Sequence, residues 1–89
     1  MKTLKYRIYI LYSIAFKKTY VGFSEDPLER LQTHNSGAVS STRKYKPWKI
    51  VFEEEVDGYK EARKRELYYK SGAGRRKIKS IFDSLGINN

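Results

Sequence analysis

The sequence predicts an α+β fold in which a three-stranded, mainly antiparallel sheet is flanked by helices in the order β-β-α-β-α-α. Two short segments of alternating residues near the N-terminus are typical of strands. A helix-capping sequence follows them, and an apolar stripe at helical spacing lies near the C-terminus. Because neither a repeat nor a linker interrupts the 89 residues, we expect a single domain spanning residues 1–89.

The first two strands are predicted at Tyr6–Tyr12 and Thr19–Phe23. Both segments are rich in β-forming residues, and their alternation places Tyr9 on the face opposite Ile8 and Ile10. The connection between the two strands is short enough for an antiparallel hairpin.

The first helix is predicted to begin after Asp26. Asp26 is a favourable N-cap, Pro27 suits the first helical position, and Glu29 gives the spacing of a capping box. Gly37 is a natural residue to end this helix. The polar and basic residues 38–46 that follow are predicted to form an exposed loop.

A third strand is predicted at Trp48–Glu55, with Ile50 and Phe52 on the same face. Asp57 is then predicted to cap a long second helix that ends near Ser71.

The last helix is predicted after Gly74, because apolar residues recur there at i, i+3, i+4 and i+7. The residues of this stripe, which are expected to face the core, are Ile78, Ile81, Phe82 and Leu85. Gly86 is expected to end the helix.

The composition excludes several functional classes. The chain has no cysteine, which excludes disulfides, thiolate metal sites and a cysteine nucleophile, and its single histidine cannot build a histidine-rich zinc site. No apolar run approaches the roughly 20 residues of a membrane span, and the N-terminus lacks the apolar stretch of a secretory signal. We therefore expect a cytoplasmic protein with no membrane partner. We also expect it to need no small-molecule cofactor.

The net charge is +9, from 19 Lys/Arg residues against 10 Asp/Glu residues. Such a chain attracts polyanions, because binding releases their counterions. A basic surface can also serve solubility alone, and membrane-surface binding is a weaker alternative because no helix pairs a broad apolar face with a lysine-rich one. Since the basic residues cluster and tyrosines lie among them, we favour a nucleic-acid partner.

Glu66, in the second predicted helix, is a candidate functional residue. Its helical face is otherwise apolar or aromatic, with Tyr59, Ala62 and Tyr69. This pattern predicts that the carboxylate points toward the core, where it needs a partner or a bound cation. The alternative is a half-exposed glutamate that pairs with Arg63 or Lys70 on the helix surface.

The other candidates carry little information individually. Tyr9 and Tyr20 alone are more often core aromatics, and Arg30 and His34, at i and i+4, could form a solvated helix face. Gly22, beside Tyr20, is typical of a strand position that a ligand approaches closely.

The basic loop is a candidate for contact with nucleic acid. Residues 41–46 combine hydroxyls, an aromatic ring and the cations Arg43, Lys44 and Lys46, a mixture that grips phosphates and stacks on bases. The alternative is a mobile basic loop without a ligand.

The order of these motifs resembles the GIY-YIG nuclease family. The segments that carry the resemblance are Arg7-Ile8-Tyr9, Tyr20-Val21-Gly22, Arg30, His34-Asn35-Ser36-Gly37 and Glu66. The Pro47-Trp48 pair and the run from Glu61 to Gly72 also look like the small stand-alone members of that family. The resemblance extends from Tyr6 to about Lys77 and includes a likeness to the N-terminal nuclease domain of the bacterial excision-repair incision protein.

The resemblance implies an endonuclease that hydrolyses DNA phosphodiester bonds with one divalent metal, usually Mg²⁺, for which Mn²⁺ could substitute. It assigns Tyr9 and Tyr20 to positioning or activating the nucleophile and His34 to proton transfer. It assigns Arg30 to the scissile phosphate and Glu66 to the metal. A phenol that acts as a base at neutral pH needs a cationic setting that lowers its pKa.

DNA, including branched or nicked forms, is the implied partner, and DNA repair is one implied setting. The residues expected to contact the nucleic acid are Gly22, Arg43, Lys44, Lys46, Arg63, Lys70, Arg75, Arg76 and Lys77.

The chain departs from the family pattern at three places. Arg7 replaces the glycine of the first motif, Phe23 stands where many active members have a lysine, and the region between Glu66 and Asn88 lacks a late active-site asparagine. The alternative function is therefore a nucleic-acid-binding module of the same fold that cuts weakly or not at all. A more remote alternative is a basic structural subunit that binds an acidic protein.

Overall fold

The structure is a computed structural model that describes residues 4–87. Its elements are β1 (Lys5–Ser13), β2 (Lys18–Ser24), α1 (Pro27–Ser36), a 3₁₀ turn (Arg43–Tyr45), β3 (Lys49–Asp57), α2 (Tyr59–Lys70) and α3 (Gly72–Leu85). This order confirms the predicted one. Within residues 4–87, no helix is long and apolar enough to cross a membrane.

The sheet has the strand order β2-β1-β3, with both pairings antiparallel, which confirms the predicted α+β class. In the β1–β2 hairpin Tyr9 lies opposite Gly22, and Leu11 lies opposite Tyr20. Directly opposed residues of an antiparallel pair point to the same face. The register therefore brings the two motif tyrosines to one face of the sheet, with β2 as an edge strand.

An irregularity in β3 overturns the prediction that Ile50 and Phe52 share a face. Ile10 pairs with Phe52 whereas Leu11 pairs with Ile50, so Val51 is an extra residue between two successive pairs. Such a bulge reverses the alternation of side chains along the bulged strand. Phe52 accordingly packs on one side of the sheet and Ile50 on the other.

The two faces of the sheet carry different cores. On one face Ile8, Ile10 and Tyr12 pack against residues of α2 and α3, including Ala62 and Phe82. On the other face a smaller cluster contains Tyr9, Leu11 and Trp48, with Tyr20, Leu31, Tyr45 and Ile50 packed against it. The predicted split of β1 into two faces is thus confirmed, and both faces are buried.

The local signals for α1 are confirmed. The Asp26 side chain accepts a hydrogen bond from the backbone N–H of Glu29 at 3.2 Å, and Pro27 occupies the first turn. Gly37 ends the helix with a φ of 86°, a left-handed conformation that is unstrained only for glycine. These caps fix the position of α1 relative to the end of β2.

The predicted start of α2 is wrong. Gly58 is the N-cap, while Asp57 is the last residue of β3 and forms an ion pair with Lys5. The prediction that Tyr59 lies on the inner face of α2 is also wrong, because Tyr59 is 61% exposed, although its ring contacts that of Tyr6.

The third helix begins earlier than predicted, at Gly72. The Ser71 side chain is its N-cap and accepts a hydrogen bond from the backbone N–H of Gly74 at 3.2 Å. Phe82 is buried as predicted, but Leu85 lies in the last turn and is 54% exposed.

Candidate active site

The phenol of Tyr9 lies across the backbone of Gly22, its partner on β2. A Cβ atom at Gly22 would lie 2.6 Å from Tyr9 Oη and 2.7 Å from Cζ, closer than real Cβ atoms come. Any side chain there would displace the ring. The close approach that the sequence predicted at Gly22 is therefore made by Tyr9. Gly22 is buried, which does not favour its predicted contact with nucleic acid.

A chain of hydrogen bonds leads from Tyr9 through His34 to the loop after α1. Tyr9 Oη lies 3.3 Å from His34 Nε2, and His34 Nδ1 lies 2.9 Å from Thr42 Oγ1. Because the Thr42 hydroxyl donates to the Val39 carbonyl oxygen at 3.3 Å, its oxygen accepts from the Nδ1–H of His34. Nε2 is then the acceptor for the phenol proton of Tyr9.

Burial controls the protonation of both groups in this chain. Tyr9 is 1% exposed, and burial raises the pKa of its phenol, an effect that the nearby Arg30 guanidinium only partly opposes. Burial, followed by the positive charge of Arg30, lowers the pKa of His34. The expectation of a cationic setting that lowers the pKa of the phenol is wrong for Tyr9. Near neutral pH a neutral phenol faces a neutral imidazole.

Arg30 lies beside both Tyr9 and His34. It is half-buried on α1, and its charge acts on the pKa values of both side chains. His34, one turn later, is fully buried. The alternative of a solvated face for these two residues is therefore wrong, because α1 turns this face toward the smaller core.

Tyr20 connects this cluster to α2. Its ring centre lies 4.7 Å from that of His34 and 6.4 Å from that of Tyr9. Lys70, in the last turn of α2, places Nζ 6.0 Å from the Tyr20 ring centre. The tyrosine pair and the carboxylate-bearing helix thus meet along the edge strand β2.

Glu66 is buried, as its helical face predicted, and it is also paired, as the alternative predicted. The residue is 8% exposed; Lys70 Nζ lies 3.3 Å from Oε2, and Arg63 donates to Oε1. The negative charge of Glu66 reaches Tyr9, where it contributes to the raised pKa of the phenol. The carboxylate therefore belongs to the same cluster as the tyrosines.

The donor set suits a hard divalent cation held by one carboxylate. Mg²⁺ is commonly bound through one or two carboxylates and completes its shell with waters and phosphate oxygens. Both cations that now pair with Glu66 are long, exposed side chains able to move aside. Within residues 4–87, no group of three or more His, Cys, Asp or Glu side chains forms an alternative metal site.

Sequence reasoning missed three residues that support the site. Thr42 is 1% exposed and orients His34. The side chain of Asn35 bonds both backbone groups of Trp48, at 3.0 and 2.6 Å, and the Trp48 indole donates to the Thr42 carbonyl at 2.9 Å. The sequence singled out Asn35 and Trp48 only as members of the segments that carry the family resemblance. Nothing in the local sequence distinguished Thr42 from its neighbours.

The basic residues that were predicted to contact nucleic acid all lie on the surface. Exposed side chains occur at Arg43, Lys44, Lys46, Arg63, Lys70, Arg75, Arg76 and Lys77. They do not form one patch, because Lys77 acts on Glu54 of β3 whereas Arg75 faces the β2 side.

Phe23, one of the three departures from the family pattern noted in the sequence, packs against the core. Its ring makes edge contacts with Tyr6 and Tyr59 at centroid distances of 5.8 and 5.4 Å. A lysine here would remove both contacts, so the phenylalanine stabilises the end of β2 against the start of α2.

Comparisons with known proteins identify the family of the chain. The family described as "GIY-YIG catalytic domain" matches residues 5–79. The chain is similar to the "UPF0213 protein" of Limosilactobacillus reuteri (strain DSM 20016), with 34% identity over 86 residues, covering 93% of this chain and 88% of that protein. No solved structure gives a significant match.

Proposed function

From the premise that the chain belongs to the GIY-YIG family, we propose that it is an endonuclease that hydrolyses phosphodiester bonds in DNA. The observation that carries the proposal is the convergence of Tyr9, Tyr20, Arg30, His34 and Glu66 from four different elements. Such a combination of proton-transfer groups, a guanidinium and an inward carboxylate suits phosphodiester hydrolysis. A protein that only binds nucleic acid has no need of it.

In the proposed mechanism, Tyr9 and His34 carry out the proton transfer and Thr42 supports it. A water beside Tyr9 gives its proton to the phenol oxygen while the phenol proton passes to His34 Nε2. The oxygen of that water bonds to phosphorus as the bond to the leaving sugar oxygen breaks. Thr42 supports this step, because its contact with Nδ1 keeps Nε2 free to accept. Tyr20, at the mouth of the site, helps to align the water.

Charge stabilisation falls to Arg30 and Glu66. The planar, permanently charged guanidinium of Arg30 can bind two phosphate oxygens at once as charge builds on them. Glu66 would hold one Mg²⁺ ion, which stabilises developing charge and the leaving oxygen when bound. Mn²⁺ is expected to substitute for it.

Cleavage of labelled DNA tests the proposed function. Purified protein incubated with intact, nicked and branched duplexes is expected to cut in Mg²⁺ or Mn²⁺ and to stop when EDTA is added. Product size and end chemistry would distinguish internal hydrolysis from contaminating exonuclease activity. Undiminished cutting in EDTA would contradict the metal assignment.

A non-cutting nucleic-acid-binding module is the second candidate, and one observation favours it. Both Glu66 oxygens are already paired with Arg63 and Lys70, an arrangement that stabilises a fold without a metal. Salt-dependent DNA binding with no cleavage of any form of DNA in either metal would support this candidate over the nuclease.

The exposed basic turn is expected to bind the DNA backbone. Its cations Arg43, Lys44 and Lys46 lie beside the loop that orients His34. The logarithm of the affinity should fall linearly with the logarithm of salt, by about 0.9 per duplex phosphate neutralised. Replacing the three cations with alanine should flatten this slope in a binding titration. An unchanged slope would show that the turn does not touch phosphates.

A further inference from the structure

A groove of about 830 Å³ opens at the outer edge of β2, between that strand and α3. Its floor is apolar and is formed by Val21, Ile78, Phe82 and Ile87. A concave apolar surface with a few convergent polar groups is a typical ligand site. Of the residues that line this groove, the proposed mechanism uses Tyr20 alone.

The groove is continuous with the candidate active site. Tyr20 and Lys70 line it, and Lys70 Nζ also lies 3.3 Å from Glu66 Oε2. A strand whose scissile phosphate lies between Tyr20 and Glu66 would therefore have its next nucleotide at the mouth of the groove.

The charges on the groove favour a polyanion. Arg75 and Lys79 lie one turn apart on α3 and line it together with Lys70, and Asp83 is the one carboxylate among the lining residues that the structure describes. Within residues 4–87, Arg75 and Lys79 form no ion pair. Two exposed, unpaired cations over an apolar floor match a nucleotide, which carries a phosphate and an apolar base face. Asp83 can accept a hydrogen bond from an exocyclic amino group of a base.

We propose that this groove binds an unpaired nucleotide of the substrate strand, with its base on the apolar floor and its flanking phosphates on Arg75 and Lys79. The inference rests on the proposed function, because it places that nucleotide beside the phosphate to be cut. A base inside a duplex is stacked and paired, so it cannot enter without being extruded. The protein should therefore prefer DNA with a gap, flap or overhang to an intact duplex.

Helix α3 offers a matched pair of variants for the test. Arg75→Ala/Lys79→Ala removes two cations from the groove, whereas Arg76→Ala/Lys77→Ala removes two cations of the same types that do not line it. Binding is measured by fluorescence anisotropy in EDTA, with a gapped duplex and an intact duplex of the same sequence. The wild type should bind the gapped DNA roughly tenfold more tightly, as expected for one sequestered base.

The groove variant should lose this preference, whereas the control variant should keep it and weaken binding to both DNAs equally. A fluorescent purine analogue in the gap should respond to the wild type and the control variant but not to the groove variant. Equal affinity of the wild type for both DNAs, or a preference that survives in the groove variant, would overturn the proposal. So would equally effective competition by polyglutamate, which would identify an acidic peptide as the occupant.

The outcomes separate this inference from the proposed function. Binding is measured without metal, so a protein that never cuts DNA can still show the preference for a gap. Conversely, Mg²⁺-dependent cutting without any preference for unpaired DNA would support the nuclease function and would show that the groove is not part of the substrate site.

Discussion

Replacing Glu66 with glutamine is expected to abolish DNA cleavage while leaving the fold and the DNA affinity nearly intact. Glutamine keeps the shape of the side chain but loses the charge that would hold Mg²⁺. Metal stabilisation of a phosphoryl transition state is worth several kcal/mol, so the rate should fall by roughly 10³-fold or more. The affinity for DNA should stay the same or increase, because the substitution releases Arg63 and Lys70 from their ion pairs with the carboxylate.

Glu61→Gln is the matched control for this prediction. Glu61 is an exposed glutamate of the same helix, and among the residues that the structure describes it pairs with Lys64 alone. Removing its charge should therefore leave the cleavage rate within a factor of about two, because surface ion pairs contribute little. Thermal unfolding and single-turnover cleavage in Mg²⁺ should be measured for both variants. Cleavage by Glu66→Gln at a rate close to that of the wild type would show that the metal, if one is used, is held elsewhere.

The parts of the fold that could be predicted are those determined by local sequence. Alternation in β1 depends only on neighbouring residues, and so does the Asp26–Glu29 cap of α1. Helical periodicity predicted that Glu66 points inward, because a regular helix places residues three, four and seven apart on one face, and it left open the pairing with Arg63 and Lys70 that the structure also shows.

The parts that could not be predicted depend on contacts between distant residues. The bulge at Val51 exists only relative to the pairing partner β1, so the sequence of β3 alone looks like regular alternation. The role of Thr42 depends on the loop folding back over α1, which the Asn35–Trp48 hydrogen bonds hold in place. The raised pKa of Tyr9 is also a property of packing, since burial outweighs the attraction of the phenolate to Arg30.

In the proposed mechanism, Arg30 acts in catalysis rather than in anchoring the DNA. Its helix is fixed at one end by the Asp26 cap and at the other by Gly37. The guanidinium acts on the pKa values of both Tyr9 and His34, so it lies beside the groups that would move the proton. A cation fixed there stabilises the charge that develops in the transition state more than the charge of the bound substrate.

Arg30→Ala should therefore lower the single-turnover cleavage rate by roughly 10²-fold or more, the usual cost of losing one preorganised donor. Affinity for DNA should change far less, and no more than in the control Arg43→Ala, because many other cations remain. Arg30→Lys should recover only part of the rate, since an ammonium lacks the planar fork of the guanidinium.

A second measurement on the same variant distinguishes catalysis from a purely structural role of Arg30. Burial and then the charge of Arg30 lower the pKa of His34. Removing a nearby positive charge favours the protonated imidazole, so in Arg30→Ala the pKa of His34 should rise toward its ordinary value. The acid limb of the rate–pH profile should then move to higher pH, because a protonated Nε2 cannot accept the proton of Tyr9. Strongly weakened binding, with an unchanged single-turnover rate and an unmoved acid limb, would make Arg30 an anchoring residue and would remove it from the proposed mechanism.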